Sequence, residues 1–448
     1  MYTGPAVGAR PLSSGAANGS LAAMDAAAPA EQDDAIAGLA AVAQTLTADA
    51  AVRAQAASAL APGTGIAVSS LASLIADWPR GLDRRALSSA IEMLRSSGRA
   101  LPRRVALVAP GNLPMASWTA MAEILALGAE VRVRPGSGDL DGPAVFRGWL
   151  RAAAPALAAR VTICPGARGD RAAWARLVDG CDAAVVFGGD AAVEAVKDLL
   201  RHLGFQGPVR GHGHKVSIGL VDGPAAEDGA AGGVSDADLR ALWRAALLAD
   251  GRGCLSLRAL LVRGSAQQAA AVVARLAALA PEVARVLPAG SLAPDLLAAR
   301  RVAIEEARLA VALGPGLLCE PDAATDPDAG AADWAVGCHG SPRQHLLADD
   351  LGPGARWLPV IPVAGEVPLM LLLAPLRGHL AALALPRAAL AGDVETLQGA
   401  VSASFWAGGF DRICHADDLQ APPWHHHDGV PLGDGLALDD ALSGPFSA

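Results

Sequence analysis

Cys254 is the residue best placed to do chemistry in this chain. It lies in Asp250-Gly-Arg-Gly-Cys-Leu-Ser-Leu-Arg258. Helical periodicity (Leu239, Leu242, Trp243, Ala246, Leu247) runs up to this segment, and an apolar run, 257–262, leaves it as a buried strand. The flanking glycines let a ligand come close to the backbone. A packing cysteine usually sits within an apolar run and is inert. This one is on a loop beside Arg252, whose charge would favour the thiolate. Local context alone leaves a nucleophile and a semi-buried small residue as equal readings.

Four further segments carry candidate groups. In Gly111-Asn112-Leu113-Pro114 the Asn amide follows a short apolar strand. It could donate to a developing oxyanion, but position alone favours a helix cap. In Val185-Val-Phe-Gly188-Gly189-Asp190 a strand runs through two glycines into a helix start. The free amides there suit a pyrophosphate, while Asp190 reads as the cap of its own helix. No GxGxxG is present, so this signal is weak. Arg132-Val-Arg134-Pro-Gly-Ser137 ends the next strand. An arginine at that place fits the 2′-phosphate of NADP, where an NAD-selective fold has an acid. Gly211-His212-Gly213-His214-Lys215 offers histidines that could carry protons near neutral pH, or a plain polar loop.

Trp424-His-His-His-Asp428-Gly429, with Cys414 and His415 upstream, invites a zinc reading. Consecutive histidines on an extended segment point to alternate faces, so the three cannot easily hold one ion, and no metal is expected. Cys164, Cys181, Cys319, Cys338 and Cys414 read as packing residues, as do Trp118, Trp334 and Trp357.

The elements that must position these groups alternate. Helices are predicted over 36–60 and 84–96. Strand 104–109, helix 115–127 and strand 130–134 then make a βαβ unit, which implies a right-handed crossover and a parallel sheet. Strands at 161–164, 183–187 and 216–221, separated by helices, extend it into a doubly wound α/β domain. A second α/β unit begins at strand 257–263, followed by helices 266–279 and 292–313, a Pro-rich stretch 353–375 and a helix near 394–407. Residues 416–448 read as irregular.

The net charge is −9 with scattered basic residues, which excludes a polybasic nucleic-acid face. Six cysteines without a CxxC pair indicate reduced thiols. The first thirty-odd residues lack the apolar core of a signal peptide, and prolines with Glu366 interrupt the most apolar stretch, 358–376. The expectation is a cytoplasmic protein with no membrane span.

Taken in order, these segments resemble the aldehyde dehydrogenase superfamily and, within it, the LuxC-like acyl-CoA reductases. The matching pieces are Ala-Pro-Gly-Asn-Leu-Pro (109–114), Val-Arg-Pro-Gly-Ser (133–137), Val-Val-Phe-Gly-Gly-Asp (185–190) and Gly-His-Gly-His-Lys-Val-Ser (211–217). They continue with Asp-Gly-Arg-Gly-Cys-Leu-Ser (250–256), Gly-Gly-Phe-Asp-Arg-Ile (408–413) and Leu-Gln-Ala-Pro-Pro-Trp-His-His-His-Asp-Gly (419–429).

The resemblance implies an aldehyde-dehydrogenase-like α/β fold: a Rossmann-type cofactor domain and a second α/β catalytic domain. It implies a disordered tail over 1–33, the cofactor domain over 34–250 and the thiol domain over 251–412. Residues 413–448 would return to the cofactor domain or to a subunit interface. Cys254 would accept the acyl group and Asn112 would donate to the oxyanion. Gly188 and Gly189 would lie by the dinucleotide phosphates, Arg134 and Ser137 by the adenosine ribose, and His212 would be the base. The reaction implied is NADPH-dependent reduction of an acyl-CoA or acyl-protein thioester to the aldehyde, by a homo-oligomer that an acyl-protein synthetase or acyltransferase could serve.

One departure matters. Ordinary aldehyde dehydrogenases carry a glutamate where this chain has Gly-His-Gly-His, and that glutamate activates water. Its absence favours exchange with a thiol over hydrolysis. A CoA-acylating aldehyde dehydrogenase running oxidatively, or a binding protein on a decayed dehydrogenase fold, are the alternatives.

Overall fold

The computed structural model describes residues 29–138, 141–224, 234–321, 333–364, 367–391 and 409–436. The helix expected near 394–407 lies outside them.

Residues 29–33, expected in the tail, are helical. Pro29–Ala48 is one helix and Ala50–Thr64 the next, where a single helix over 36–60 is predicted. Asp49 breaks them: it is extended, and its carboxylate accepts from the amides of Ala51 and Val52. The two helices meet at 94°, and among the described residues no single helix is long and apolar enough to cross a membrane.

Among the described residues twelve strands build two sheets. The first sheet holds β1 (Arg104–Val108), β2 (Glu130–Arg134), β3 (Val161–Ile163), β4 (Ala183–Phe187) and β5 (Val209–His212), in the order β3-β2-β1-β4-β5. All its pairs are parallel. β1 is buried on both faces. Val105 and Leu107 join the main core, and Ala106 joins the cluster of Trp174, Leu177 and Leu200 on the other side. Two-sided burial explains the unbroken apolar runs read in the sequence.

The second sheet holds β6 (Val216–Asp222), β7 (Leu257–Arg263), β8 (Gly316–Cys319), β9 (Ala335–His339), β10 (Trp357–Val363), β11 (Leu380–Leu385) and β12 (Phe410–His415). Their order is β12-β11-β6-β7-β10-β9-β8, parallel except for the β8–β9 pair. β6 does not extend the first sheet, as strand 216–221 was expected to do: it pairs with β7 and β11, so the chain changes sheets between His212 and Val216. The alternation that suggested one continuous sheet is blind to such a switch, because a parallel strand has the same apolar signature in either sheet.

The main core runs between the sheets. It joins the helices Pro114–Ala126, Asp236–Leu247 and Ala266–Val286 to β1, β2, β7 and β10. Trp118, Trp334 and Trp357 are buried in the interior. The C-terminal segment crosses back to the first layer. Trp424 packs against Trp78 with ring centroids 4.3 Å apart, and its backbone N–H donates to Gly81 at 3.0 Å.

Candidate active site

In a doubly wound sheet ligands lie beyond the carboxyl ends of the strands, where the strand order reverses. Here that point is between β1 and β4. The loops after them, Pro110–Leu113 and Gly188–Gly189, open onto a cavity of about 400 Å³. His212 to Lys215, between the sheets, and Arg252 to Cys254, before β7, close it from the second sheet. The structure thus gathers Asn112, Ser137, Gly188, Gly189, His212 and Cys254 around one space.

The Cys254 loop is strained and anchored. Ala249 and Asp250 have φ of 52° and 55°, in the left-handed region that costs non-glycine residues about 1–2 kcal/mol each. The fully buried Arg356 holds the bend, reaching Asp250 at 3.3 Å and the Leu287 carbonyl at 2.9 Å. Past the bend, the Ser217 hydroxyl donates to the Cys254 carbonyl at 2.9 Å and the Gln420 amide to the Leu255 carbonyl at 2.9 Å.

Cys254 itself is half-buried. Burial pushes its thiol up to about 12, and Asp428 adds to the rise; the backbone N–H of Leu255 and the Lys215 ammonium oppose it. The expected help from Arg252 is absent. That guanidinium donates to the carbonyls of Thr64 and Ala249 and stands 3.7 Å from Asp250. The resting sulfur is therefore a thiol that needs a base.

His212 has the surroundings such a base needs. It is buried, with Phe187 stacked on it at 4.3 Å and His427 at 5.3 Å. Its Nδ1 lies 2.7 Å from the Asp428 carboxylate. Burial alone would raise the Asp428 carboxyl, but His427, the bond from His212 and Lys215 outweigh it and hold it below the ordinary carboxylate range. An ionised carboxylate only accepts, so Nδ1 carries the proton and Nε2 of the neutral ring keeps its lone pair. Nε2 has no hydrogen-bond partner.

Asp428 is the residue of this cavity that sequence reasoning missed. It was visible only as part of a histidine run that suggested zinc. The available signal was Asp-Gly after that run, a turn pair: Asp428 and Gly429 have φ of 51° and 74°. Its partner in space is 216 positions away. The histidines themselves are dispersed: His427 is buried against His212, while His426 sits in a short hairpin opposite Pro431. Among the described residues no three His, Cys, Asp or Glu side chains are grouped to hold a metal.

His214 differs from His212. It is largely exposed, and partial loss of water around its ring, together with the Arg258 charge, lowers its pKa.

Asn112 is not a helix cap. Leu113 occupies that position with no side-chain bond, while the Asn112 amide donates to the Arg252 carbonyl at 3.1 Å. An amide nitrogen has two protons, so one donor remains. Asp190 is not a cap either. Gly189 holds the cap position of helix Asp190–His202 without a side-chain bond, and Asp190 accepts from the His214 amide at 2.8 Å.

These features test the fit of a dinucleotide. An uncapped thirteen-residue helix starts at two glycines on the cavity wall, and a Cβ at Gly189 would meet nothing within 4 Å. Such an end accepts a phosphate. Arg134, expected by the ribose, is buried and does not line the cavity. Its guanidinium stacks 4.2 Å from the Trp174 ring, and Nη2 donates to Gly166 at 2.7 Å, while Nη1 has no partner. The residues fit the phosphates of a nicotinamide dinucleotide, with one orphan donor left at Arg134.

Fold and site define a class. Δ-pyrroline-5-carboxylate dehydrogenase of Mycobacterium tuberculosis superposes with a TM-score of 0.57 at 16% identity, over 88% of this chain and 72% of that one. Aldehyde dehydrogenase 21 of Physcomitrella patens gives 0.59 at 12% identity, over 87% and 78%. Succinic semialdehyde dehydrogenase of Streptococcus pyogenes, solved with NADP+ as the cofactor, gives 0.56 at 12%, over 86% and 82%. The fold is that of the aldehyde dehydrogenases. No curated protein matches the chain. The family profile described as Acyl-CoA reductase (LuxC) matches residues 84–433, and the chain belongs to that family. Family and fold together support an oxidoreductase acting at the aldehyde level.

Proposed function

We propose that the protein reduces an acyl thioester, acyl-CoA or acyl-protein, to its aldehyde with NADPH through an acyl-Cys254 intermediate. The observation that carries this reading is the shared cavity: a thiol, an oriented imidazole whose Nε2 has no partner, an amide donor and an uncapped helix start line one space.

His212 Nε2 takes the proton from the Cys254 thiol, and the Asp428 carboxylate stabilises the imidazolium that forms. The thiolate attacks the thioester carbonyl. The second N–H of Asn112 receives the oxyanion, a contact worth about 3–4 kcal/mol in comparable sites. The carbon–sulfur bond to the carrier breaks, and the carrier thiolate leaves with the proton held on His212. Gly188, Gly189 and the amides of the following helix would hold the dinucleotide phosphates, with Ser137 near the ribose and the orphan Nη1 of Arg134 supporting a 2′-phosphate. Bound there, the reduced nicotinamide supplies hydride to the acyl carbon. Collapse then breaks the Cys254 sulfur–carbon bond, releases the aldehyde and returns the thiolate, which takes up a proton from solvent. Phe187 stacks on the base and His427 packs beside both rings, which limits the access of water and so the loss of the thioester to hydrolysis.

The acyl-protein form of the donor would be handed over by an acyl-protein synthetase or acyltransferase, with this chain acting as a cytoplasmic homo-oligomer. Intact-mass spectrometry after incubation with a panel of acyl-CoAs tests the reading. One acyl adduct on Cys254 is expected, discharged by NADPH and absent from Cys254→Ala. An adduct that persists in Cys254→Ala would sink it.

A further inference from the structure

Charged side chains line the cavity, and all but one are matched. Lys215 bonds to Asp411 at 2.6 Å, Arg252 stands 3.7 Å from Asp250, and Asp428 holds His212. Arg258 is the exception. Its Nε donates to the Gly352 carbonyl at 2.8 Å and its Nη2 to the same oxygen, which leaves Nη1 without a protein partner among the described residues. No described carboxylate is in ion-pair reach. Burial with no countercharge lowers its pKa to about 10, so it remains a cation at neutral pH.

Arg258 is half-buried, and a partly desolvated charge without a countercharge carries a cost that an incoming anion would offset. Here the guanidinium is fixed by a bifurcated bond to one backbone oxygen, and it lines the cavity that holds Cys254. Only three residues lie between it and Cys254, which puts their Cα atoms within about 14 Å. The mechanism above gives it no task.

We propose that Arg258 is an anion subsite for the substrate, binding a carboxylate or phosphate oxygen carried by the thioester. The inference rests on the reductase reading and adds what the substrate must carry. Guanidinium pairs with either oxyanion through charge-assisted hydrogen bonds. Two parts of a thioester could supply it: a carboxylate at the far end of a short acyl chain, or a phosphate on the thiol carrier.

Three substrates separate these sources: the hexanoyl thioester of N-acetylcysteamine, which is neutral; the glutaryl thioester of N-acetylcysteamine, which carries only a carboxylate; and hexanoyl-CoA, whose charge lies only on the carrier. Arg258→Met should lower kcat/KM about 50-fold for one of the two anionic substrates and less than about twofold for the neutral one. Arg258→Lys should restore part of the loss. A loss confined to the glutaryl substrate assigns the carboxylate, and one confined to hexanoyl-CoA assigns the phosphate. Equal losses on all three, or none, overturn the subsite.

Calorimetric titration with glutarate and with CoA reads the subsite without turnover. The native protein should bind one of them at least about tenfold more tightly than Arg258→Met. Equal affinities overturn the subsite even where acyl-Cys254 forms. Absence of acyl-Cys254 with every thioester overturns the reductase reading, while the titration still decides the subsite.

Discussion

At the scale of single residues the proposed chemistry depends on one proton. The thiol of Cys254 is pushed up to about 12, so its thiolate is scarce at neutral pH and grows with rising pH. Alkylation of Cys254 by iodoacetamide in the free protein should rise about tenfold per pH unit from pH 7 to pH 10, past the ordinary thiol value of about 8.5. A plateau below pH 9, followed by peptide mass spectrometry, would instead show a resting ion pair. Asp428 acts through His212 and is a positioning residue. Asp428→Asn frees the ring to take the other tautomer, with Nε2 protonated. Turnover should fall at least about 100-fold, the usual span for a lost general base. NADPH binding, read by fluorescence, should stay within about twofold because the Asp428 carboxylate bonds to His212 and makes no bond to the uncapped helix start.

At the scale of elements a buried ion pair ties the two ends of the site together. Arg210 on β5 meets Glu123 on helix Pro114–Ala126 at 2.6 and 2.8 Å, with side chains 6% and 1% exposed. Burial alone would raise the Glu123 carboxyl, but Arg210 overrides it and keeps it ionised. The Gly433 amide donates to the same carboxylate at 3.3 Å, and Arg210 reaches the Asp434 carbonyl at 3.4 Å. The pair therefore pins the loop that follows Asp428. Glu123→Leu would strand the Arg210 charge and should cost about 3–5 kcal/mol in urea unfolding at pH 7. Glu123→Leu with Arg210→Met should recover most of it, since removing both charges also removes the penalty.

At the scale of the whole molecule the C-terminal segment closes the site. It brings Gln420 to the Cys254 loop and Asp428 to His212, and it is seated on the N-terminal helices through Trp424. Gly81 makes that seat possible, because a Cβ there would stand 2.2 Å from the Pro422 carbonyl oxygen. Backbone cannot yield as a side-chain tip can. Gly81→Ala should cost about 1–3 kcal/mol and lower the melting temperature. Acylation of Cys254 should fall with it, although the substituted residue touches nothing in the cavity. Unchanged acylation in a protein with a lowered melting temperature would separate the seat from the site.

Local sequence was enough to set the βαβ rhythm, the glycine turns after β1 and β4, and the loop position of Cys254, because each depends on residues within one or two turns of chain. The helix break at Asp49, the fate of Asn112 and Asp190, and the sheet that receives β6 depended on partners elsewhere. The same is true of the His212–Asp428 pair and the unmatched charge of Arg258. Hydrogen-bond partners 216 positions apart, and a missing countercharge, leave no periodic or spacing signal. Only the packing of one sheet against the other decides which donors, acceptors and charges are left over, and those leftovers make up the site.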